Sequence, residues 1–390
     1  MRLLDRIQPS FDSELCALII EIERLCASGA SLPTSPLFND LQFLFFICES
    51  VASARIEGNH TTVAEYVDAE LSNAPTLLTR EPHREIKNLI VSLSWATENV
   101  GEWKITEAFV RELHKRAVDG LDAINGEGDS SPGQYRREPV KILNAAHTPP
   151  DPGDVPALMS DLLDWLDEPV APQFQLIRIA LAHWRFVWIH PFRNGNGRVA
   201  RLLTYALLIK RRLIKSGLLF NPTAICCRQR EEYYARLGTA DRAFSLLLQN
   251  ETSPSATAGL EEWAFFLLNG VKMELESTAR LLNPEFMTNE IVAPALDRAR
   301  RFEKLLPLEQ KIALVALRLG TARLSDVAEE LQTDASKRAV QNAWRALRTK
   351  GLIMPIRPNG RVFRFAVSPF LYPSIIERFV ATNMTLTPLK

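Results

Sequence analysis

The sequence predicts a mainly α-helical protein with more than one domain, and three observations support this. Apolar residues recur at intervals of three and four along most of the chain, as in residues 11–29, where the pattern indicates an amphipathic helix that ends at Gly29. The length of 390 residues exceeds the ~250 to 300 residues at which single hydrophobic cores stop growing. The helical pattern is also interrupted by prolines near residue 283. We therefore expect a separate C-terminal domain after that point.

The last hundred residues have the pattern of a winged helix. Three helical segments precede "LIMPIRPNGRVFRFAVS", which indicates a β-hairpin that turns at Pro358, Asn359 and Gly360. Residues 301–370 contain 13 Lys and Arg against 6 Asp and Glu, although the whole chain has a formal net charge of zero. Two interpretations stay open: DNA binding through phosphate contacts, or a protein-recruitment or dimerisation module. The expected phosphate contacts are Lys337, Arg338, Arg345, Arg348 and Lys350. The residues at core spacing on the same helix are Val340, Trp344 and Leu347.

Composition gives an expected domain division and location. We expect N-terminal helices in residues 1–80, a central helical core in 81–283 and the winged helix in 284–390. The five cysteines are an odd number without C-x-x-C spacing, which favours reduced thiols. The N-terminal stretch carries Asp5 and Pro9 where a signal peptide would be apolar, and no run has ~18 consecutive apolar residues. We expect a cytoplasmic protein without a membrane partner.

Residues 190–201, "HPFRNGNGRVAR", combine one imidazole, a glycine-rich loop and two arginines. Pro191 disfavours helix at the preceding residue, so His190 is expected at a junction between helix and loop. The glycines allow a ligand close to the backbone, and the next helix directs its unpaired N–H groups and positive dipole end at the loop. Arg198 and Arg201 share one face of that helix. This arrangement predicts a phosphate site beside a base.

This stretch resembles the signature of the Fic family, H-P-F-x-[D/E]-G-N-[G/K]-R-x-x-R. The segment "PGQYR…VKIL…HTPP" is similar to the family's β-hairpin flap, and "RQREEYYARL" is similar to the segment behind its nucleotide base. The resemblance covers about residues 40 to 280. It implies a Fic-type helical bundle that transfers a nucleoside monophosphate, usually AMP from ATP, to a protein hydroxyl. The chain would then be a protein adenylyltransferase.

The resemblance also implies a role for individual residues. His190 would be the general base, because a reference pKa of ~6.5 leaves it mostly neutral at pH 7. The implied nucleotide-binding residues are Asn194, Gly195, Asn196, Gly197, Arg198, Arg201, Tyr233 and Asp241. The flap residues implied to dock the target by strand addition are Val140, Lys141, Ile142 and Leu143.

Asn194 departs from the family pattern. It occupies the position of the Asp or Glu that ligates Mg²⁺, and a neutral amide binds this hard cation less well than a carboxylate. Weaker Mg²⁺ binding, a different nucleotide substrate and impaired catalysis are therefore three open alternatives.

A second short motif, "SARIEGN", suggests a built-in restraint. A glutamate near the end of a helix faces the unfavourable end of the dipole, and Gly58 in the cap position places Glu57 there. Ser53, Glu57 and Gly58 match the inhibitory pattern S/T-x-x-x-E-G/N of Fic proteins, in the class with an N-terminal inhibitory helix. The resemblance implies that Glu57 pairs with Arg201 and prevents the γ-phosphate of the nucleotide from binding in its productive position.

The leading hypothesis is thus a self-inhibited protein adenylyltransferase that uses ATP and Mg²⁺. A nucleotide-sensing winged-helix regulator with weak catalysis, and a Fic enzyme that transfers another nucleotide or a phosphate group, are the alternatives. The partners considered are a protein with a hydroxyl side chain, which includes the chain itself, DNA, and a second copy in a homodimer.

Overall fold

The computed structural model is mainly helical, as the sequence predicts. It describes residues 5, 7–30, 36–71, 80–101, 104–142, 146–211, 221–249, 255–302, 305–331 and 333–382. Contacts divide the chain into two units. The first comprises residues 1–31, 46–61 and 75–276, and the second comprises 32–45, 62–74 and 277–390. This division lies close to the expected boundary at residue 283, whereas the expected N-terminal part, 1–80, is shared between the units.

Helices account for most of the described chain before residue 282. In chain order they are α1 (Glu14–Ala30), α2 (Pro36–Asp40), α3 (Gln42–Ile56), α4 (Val63–Leu71), α5 (Glu81–Asn99), α6 (Glu107–Ala117), α7 (Val155–Asp167), a 3₁₀ turn (Pro172–Phe174), α8 (Gln175–Ile189), α9 (Asn196–Lys210), α10 (Ala224–Arg228), α11 (Arg230–Leu248) and α12 (Ser255–Leu281).

The core of the first unit is built around α8 and α9. Both helices are buried on nearly every face, as expected for helices that are apolar all round. Helix α9 packs against α8, α6 and α5, and α7 also packs against α8. Because α8 ends at Ile189 and α9 begins at Asn196, the six-residue loop of the signature is held at one end of this core.

The second unit contains the predicted order of three helices and a hairpin. Its elements after residue 283 are a short helix (Pro284–Phe286), a π-helical turn (Met287–Val292), α13 (Ala293–Arg301), α14 (Pro307–Leu319), β1 (Thr321–Ala322), α15 (Leu324–Glu330), α16 (Lys337–Thr349), β2 (Ile353–Pro355), β3 (Phe363–Phe365), a 3₁₀ turn (Pro369–Leu371) and α17 (Tyr372–Ala381). The strands form an antiparallel sheet in the order β1, β3, β2, in which Ile353 faces Phe365. Val340, Trp344 and Leu347 are buried, as their spacing predicts.

One apolar helical segment, Pro36–Ile56, has the length and composition needed to cross a membrane. In the structure 67% of its most apolar window is buried by protein. Core helices of globular proteins meet the same criterion, so the segment is weak evidence for a membrane span. All five cysteines are free thiols.

A carboxylate from α2 is predicted to stabilise the sheet of the second unit. Asp40 accepts hydrogen bonds from both Nη atoms of Arg364 in β3, at 2.6 and 2.7 Å, and from the backbone N–H of Val367 at 3.0 Å. We expect Asp40→Ala to lower the free energy of unfolding by about 2 to 3 kcal/mol, because it removes a bidentate ion pair and a third hydrogen bond. Urea denaturation measures the change. Asp68→Ala, on the exposed face of α4, is the control, and equal effects of the two substitutions would contradict the prediction.

Candidate active site

His190 lies immediately after α8 with its backbone in the left-handed region (φ 52°, ψ 59°), which is uncommon for a residue other than glycine. Its Nδ1 is 3.2 Å from the carbonyl oxygen of Val187, so Nδ1 carries the proton and Nε2 carries the free electron pair. Burial lowers the pKa of His190 to about 4, although the Val187 carbonyl opposes this shift. At neutral pH the imidazole is therefore uncharged and can accept a proton at Nε2.

The loop after His190 is closed by the side chain of Asn196. Asn196 Oδ1 accepts from the backbone N–H of Phe192 at 2.9 Å, and Asn196 Nδ2 donates to the Phe192 carbonyl at 2.8 Å. Gly195 is the N-cap of α9, with φ 75°, and a Cβ at this position would lie 3.0 Å from Val118. Since this N-cap has no side chain, the first N–H groups of α9 have no side-chain cap. They remain free to bind an anion.

A buried histidine and a carboxylate hold the backbone of this loop in place. His114 accepts from the Gly133 N–H at Nδ1 (2.8 Å), donates from Nε2 to the Asn194 carbonyl (3.2 Å), and stacks on Phe192 with ring centroids 3.8 Å apart. Burial lowers its pKa to about 4 against the influence of Asp129, so His114 is neutral in the folded protein. Asp129 accepts from the Asn194 N–H at 3.2 Å. Sequence reasoning missed His114 and Asp129, because nothing in their local sequence marks them.

Arg201 is buried and is held by the end of α3. Its Nε donates to Ser53 Oγ at 2.8 Å, and its Nη2 donates to the Ser53 carbonyl at 3.0 Å and to Glu57 Oε1 at 2.5 Å. Burial of Glu57 opposes its ionisation, but Arg201 and Arg198 outweigh burial and hold the pKa of Glu57 below its usual value. The pairing of Glu57 with Arg201 that the family resemblance implies is thus present in the structure.

Two glycines allow this ion pair to form, one through its backbone conformation and one through the space it leaves. α3 ends at Ile56, and Gly58 follows Glu57 with φ 110°, a conformation that favours glycine. On α9, a Cβ at Gly197 would overlap Glu57 Oε1 and lie 3.1 Å from Arg201 Nη1. The carboxylate of Glu57 therefore occupies the space next to Gly197 in the first turn of α9.

The other arginine of the signature is also paired with carboxylates. Arg198 Nη1 donates to Glu85 Oε1 at 3.1 Å, and Nη2 donates to Glu127 Oε2 at 3.0 Å and to the Glu127 carbonyl at 2.7 Å. Burial raises the pKa of Glu85 to about 7, while Arg198 and a hydrogen bond from Asn59 act in the opposite direction. Sequence reasoning did not find these two glutamates, which lie 113 and 71 residues from Arg198.

Both arginines keep one unused donor. Arg198 Nε and Arg201 Nη1 are buried and make no hydrogen bond to any described residue. A buried N–H without an acceptor is costly, so these two donors mark where an anion would be stabilised.

The predicted base-binding residues occupy different environments. The hydroxyl of Tyr233 is buried and lies 3.1 Å from His183 Nε2, and His183 Nδ1 lies 2.8 Å from Thr204. Asp241 accepts from the indole N–H of Trp184 at 2.8 Å. Sequence reasoning missed Tyr234, which is 44% exposed and lies with its ring centroid 5.2 Å from that of Tyr233. Neighbouring helix positions could not be assigned to core or pocket from the sequence alone.

The predicted β-hairpin of the flap is wrong for the described residues. Residues 139–142 and 147–150 form no strand, and Leu143 lies outside the part of the chain that the structure describes. Prolines at 139, 149 and 150 cannot donate to a ladder. Instead Arg136, which the sequence analysis did not assign to the site, donates to the carbonyls of Glu138 (3.3 Å), Pro150 (2.6 Å) and His190 (2.8 Å). This guanidinium ties both arms of the flap to the histidine backbone.

A divalent cation would find few protein ligands at this site. The described residues contain no group of three or more His, Cys, Asp and Glu side chains that could hold a metal ion. The amide oxygen of Asn194 already accepts the Gly195 N–H at 2.7 Å. The residues present fit a cation bound mainly through a ligand's phosphates, with a single protein carboxylate.

The buried histidine beside Tyr233 predicts a pH dependence of stability. Burial lowers the pKa of His183 to about 3, and Arg201 lowers it further. An unfolded histidine has a pKa of ~6.5, so the unfolded chain takes up a proton as pH falls below this value while the folded chain does not. Stability is lost from pH 6.5 downward at about 1.4 kcal/mol per pH unit for this residue. We expect His183→Gln to reduce the slope of unfolding free energy against pH by about that amount between pH 6 and 4. Urea titrations with equal slopes for both proteins would contradict it.

Comparison with known sequences finds one matching family model and several relatives. Residues 104–208 match the model of the Fic/DOC family. The protein adenylyltransferase Fic of Drosophila willistoni is 33% identical over 192 residues, which cover 48% of this chain and 36% of that protein. The protein adenylyltransferase Fic of Aedes aegypti is 30% identical over 277 residues, which cover 69% and 50%. The chain therefore spans at most half the length of these relatives.

Two solved structures have a similar fold. A Fic family protein from Desulfovibrio desulfuricans superposes with a TM-score of 0.54 at 20% identity, over 92% of this chain and 98% of that one. A Fic domain-containing signalling protein from Bacteroides thetaiotaomicron gives a TM-score of 0.51 at 22% identity, over 68% and 97%. These likenesses confirm the mainly helical Fic fold. Residues 104–208 thus match the sequence pattern of the Fic/DOC family, and they lie in a chain with the fold of these two structures.

Proposed function

We propose that this protein is an adenylyltransferase that moves AMP from ATP to a hydroxyl side chain of a protein. The observation that carries this proposal is the neutral imidazole of His190, with Nε2 free to accept a proton, one loop away from buried arginine donors without acceptors. The relatives from Drosophila willistoni and Aedes aegypti are named for the same activity.

The reaction needs a base, a phosphate cradle and a leaving group. The acceptor hydroxyl gives its proton to His190 Nε2 as its oxygen attacks the α-phosphorus of ATP. The bond from the α-phosphorus to the bridging oxygen breaks, and pyrophosphate leaves with that electron pair. The N–H groups at the start of α9 and the guanidinium groups of Arg198 and Arg201 stabilise the charge on the phosphates. A pKa of about 4 leaves His190 competent as a base at neutral pH.

Glu57 supports a restraint on this reaction. Its carboxylate takes the donor of Arg201 that a terminal phosphate would use, and it fills the space above Gly197. A bound triphosphate would place two groups of like charge in that space, which is unfavourable in a buried site. We infer that the protein is self-inhibited until Glu57 moves.

ATP and Mg²⁺ are the substrate and companion ion that this proposal requires. Mg²⁺ would neutralise phosphate charge and orient the leaving group. Asn194 is a poor ligand for it, because its amide is neutral and its oxygen accepts the Gly195 N–H.

The target belongs to the same proposal. It is a protein with an exposed Ser, Thr or Tyr, including this chain, and its backbone would pair with Val140, Lys141 and Ile142 in the flap, which have no strand partner in the described structure. The proposal also includes a homodimer and a cytoplasmic location. The five free thiols support the cytoplasmic location.

The first test compares the wild type with Glu57→Gly, using Mg²⁺ and ATP labelled on the α- or the γ-phosphate. We expect label from α-labelled ATP on protein, at least about tenfold stronger in Glu57→Gly because Arg201 is released, and none from γ-labelled ATP. Ser53→Ala, which removes the hydroxyl partner of Arg201, should raise the signal less.

Two further variants act as controls for this test. His190→Ala should abolish the label, and Glu98→Gly, which removes an exposed glutamate near the end of α5, should leave the wild-type level unchanged. Label from γ-labelled ATP would favour phosphate transfer. If no sample is labelled but ATP still binds, a nucleotide-sensing regulator is favoured. If ATP gives no label but another nucleotide does, that nucleotide is the substrate.

The C-terminal winged helix is proposed to bind DNA through α16. Lys337, Arg338 and Arg345 lie on its exposed face. Two of the basic residues expected to contact phosphate are engaged elsewhere: the guanidinium of Arg348 lies over the Phe363 ring at 5.1 Å, and Lys350 pairs with Glu309 at 3.1 Å. The proposal therefore rests on the first three residues.

Salt dependence of duplex binding tests the DNA proposal. We expect the slope of log K against log salt to fall by about 1 for Arg338→Ala and again for Arg345→Ala, because each contact releases one counterion. Lys311→Ala, an exposed cation of α14, is the control. The absence of any duplex binding at low salt would favour a protein-recruitment module instead.

A further inference from the structure

The charges around the signature helix leave one carboxylate without a role in the proposed reaction. Two buried arginines, Arg198 and Arg201, meet three glutamates: Glu57, Glu85 and Glu127. Glu57 is the proposed restraint. Glu85 is buried and is held on one oxygen by Arg198 and on the other by Asn59 at 2.8 Å, so it is a fixed support for Arg198.

Glu127 differs from Glu85 in exposure and in its neighbours. Its side chain is 37% exposed although its Oε2 contacts Arg198 at 3.0 Å. It precedes Gly128, whose carbonyl accepts from the amide of Asn194 at 3.3 Å. Burial raises the pKa of Glu127, while Arg198 and a hydrogen bond from the Asn194 side chain favour its ionised form. The carboxylate thus lies beside Asn194, the signature position at which the family pattern has an Asp or Glu.

The neighbouring donors indicate that an anion belongs in this place. Arg198 Nε and Arg201 Nη1 are buried without an acceptor in the described structure. If phosphate oxygens take the Arg198 donors, Glu127 loses its cationic partner and faces the phosphates with a like charge. A hard divalent cation is the partner that a carboxylate and phosphate oxygens share most favourably.

We propose that Glu127 supplies the carboxylate ligand for the divalent cation that accompanies the nucleotide, in place of Asn194. This inference rests on the proposed function, since it assumes that ATP binds at the start of α9. It assigns the metal ligand to the segment between α6 and α7, and it explains how Asn194 can stand where the family pattern has an Asp or Glu.

The experiment measures binding without turnover. The background is the full chain carrying Glu57→Gly and His190→Ala, in which ATP affinity is measured by calorimetry with Mg²⁺ and with EDTA. We expect Mg²⁺ to strengthen ATP binding by about tenfold or more in this background, and Glu127→Gln to reduce that enhancement to about twofold or less. Adding Asn194→Asp to Glu127→Gln should restore it. Electron paramagnetic resonance of Mn²⁺ reports the same coupling through the signal of the bound ion.

The controls separate a metal ligand from a merely structural glutamate. Glu138→Gln removes an exposed carboxylate of the flap and should leave the enhancement unchanged. Release of Arg198 in Glu127→Gln is expected to alter ATP affinity in EDTA, so the ratio of the two affinities is the readout. If Glu127→Gln is poorly folded by circular dichroism, Glu127→Asp replaces it, and the shorter carboxylate should reduce the enhancement in part.

The outcomes are distinguishable. An unchanged Mg²⁺ enhancement in Glu127→Gln, or no rescue by Asn194→Asp, would overturn the assignment of Glu127 while leaving adenylyl transfer in place. ATP binding that is equal with and without metal in the background would overturn it as well. No ATP binding under either condition would overturn the proposed function and this inference together.

Discussion

The structure of the candidate site depends on the burial of Arg201. A guanidinium cannot lose its positive charge in a protein, so taking it out of water requires acceptors on every side that water has left. The end of α3 provides these acceptors through Ser53 and Glu57. The glycines at 58 and 197 follow from this constraint, because one lets the chain turn after Glu57 and the other leaves room for its carboxylate. The end of α3 and helix α9 are thus joined by one buried cation.

The loop between α8 and α9 is ordered before any ligand arrives. Asn196 closes it through both of its amide atoms, and His114 and Asp129 hold the carbonyl and the N–H of Asn194. These contacts leave the N-terminal N–H groups of α9 without a side-chain cap. Donors that are already oriented need no reorganisation when charge develops on a phosphate, which is the main advantage of such sites.

The sequence predicted what is local and missed what is distant. The position of His190 and the face shared by Arg198 and Arg201 follow from helix geometry within twelve residues, and the motif at Ser53 and Glu57 is equally compact. Arg136, His114, Asp129, Glu85 and Glu127 were missed, because each acts through a contact with a segment far away in sequence. The strands of the flap were predicted incorrectly, as far as residues 139–142 and 147–150 show, for a related reason. Alternation of apolar residues indicated strands, but pairing also needs backbone donors, and prolines remove them where the guanidinium of Arg136 takes the carbonyls.

The proposed restraint and the structural stability of the site depend on the same contacts. In the described structure, Glu57 pairs with buried Arg201, and Glu85 and Glu127 pair with buried Arg198. A triphosphate offers the same type of oxygen acceptor, so its binding exchanges one set of anions for another and adds no uncompensated charge to the interior. This exchange is unfavourable as long as the displaced carboxylates of Glu57 and Glu127 have no other partner. Glu57 follows the last turn of α3 and lies where the proposed terminal phosphate would bind, whereas Glu127 lies beside Asn194 and must find a cation in place once phosphates take the donors of Arg198. The two carboxylates are therefore suited to different roles, one to leave the site and the other to remain in it.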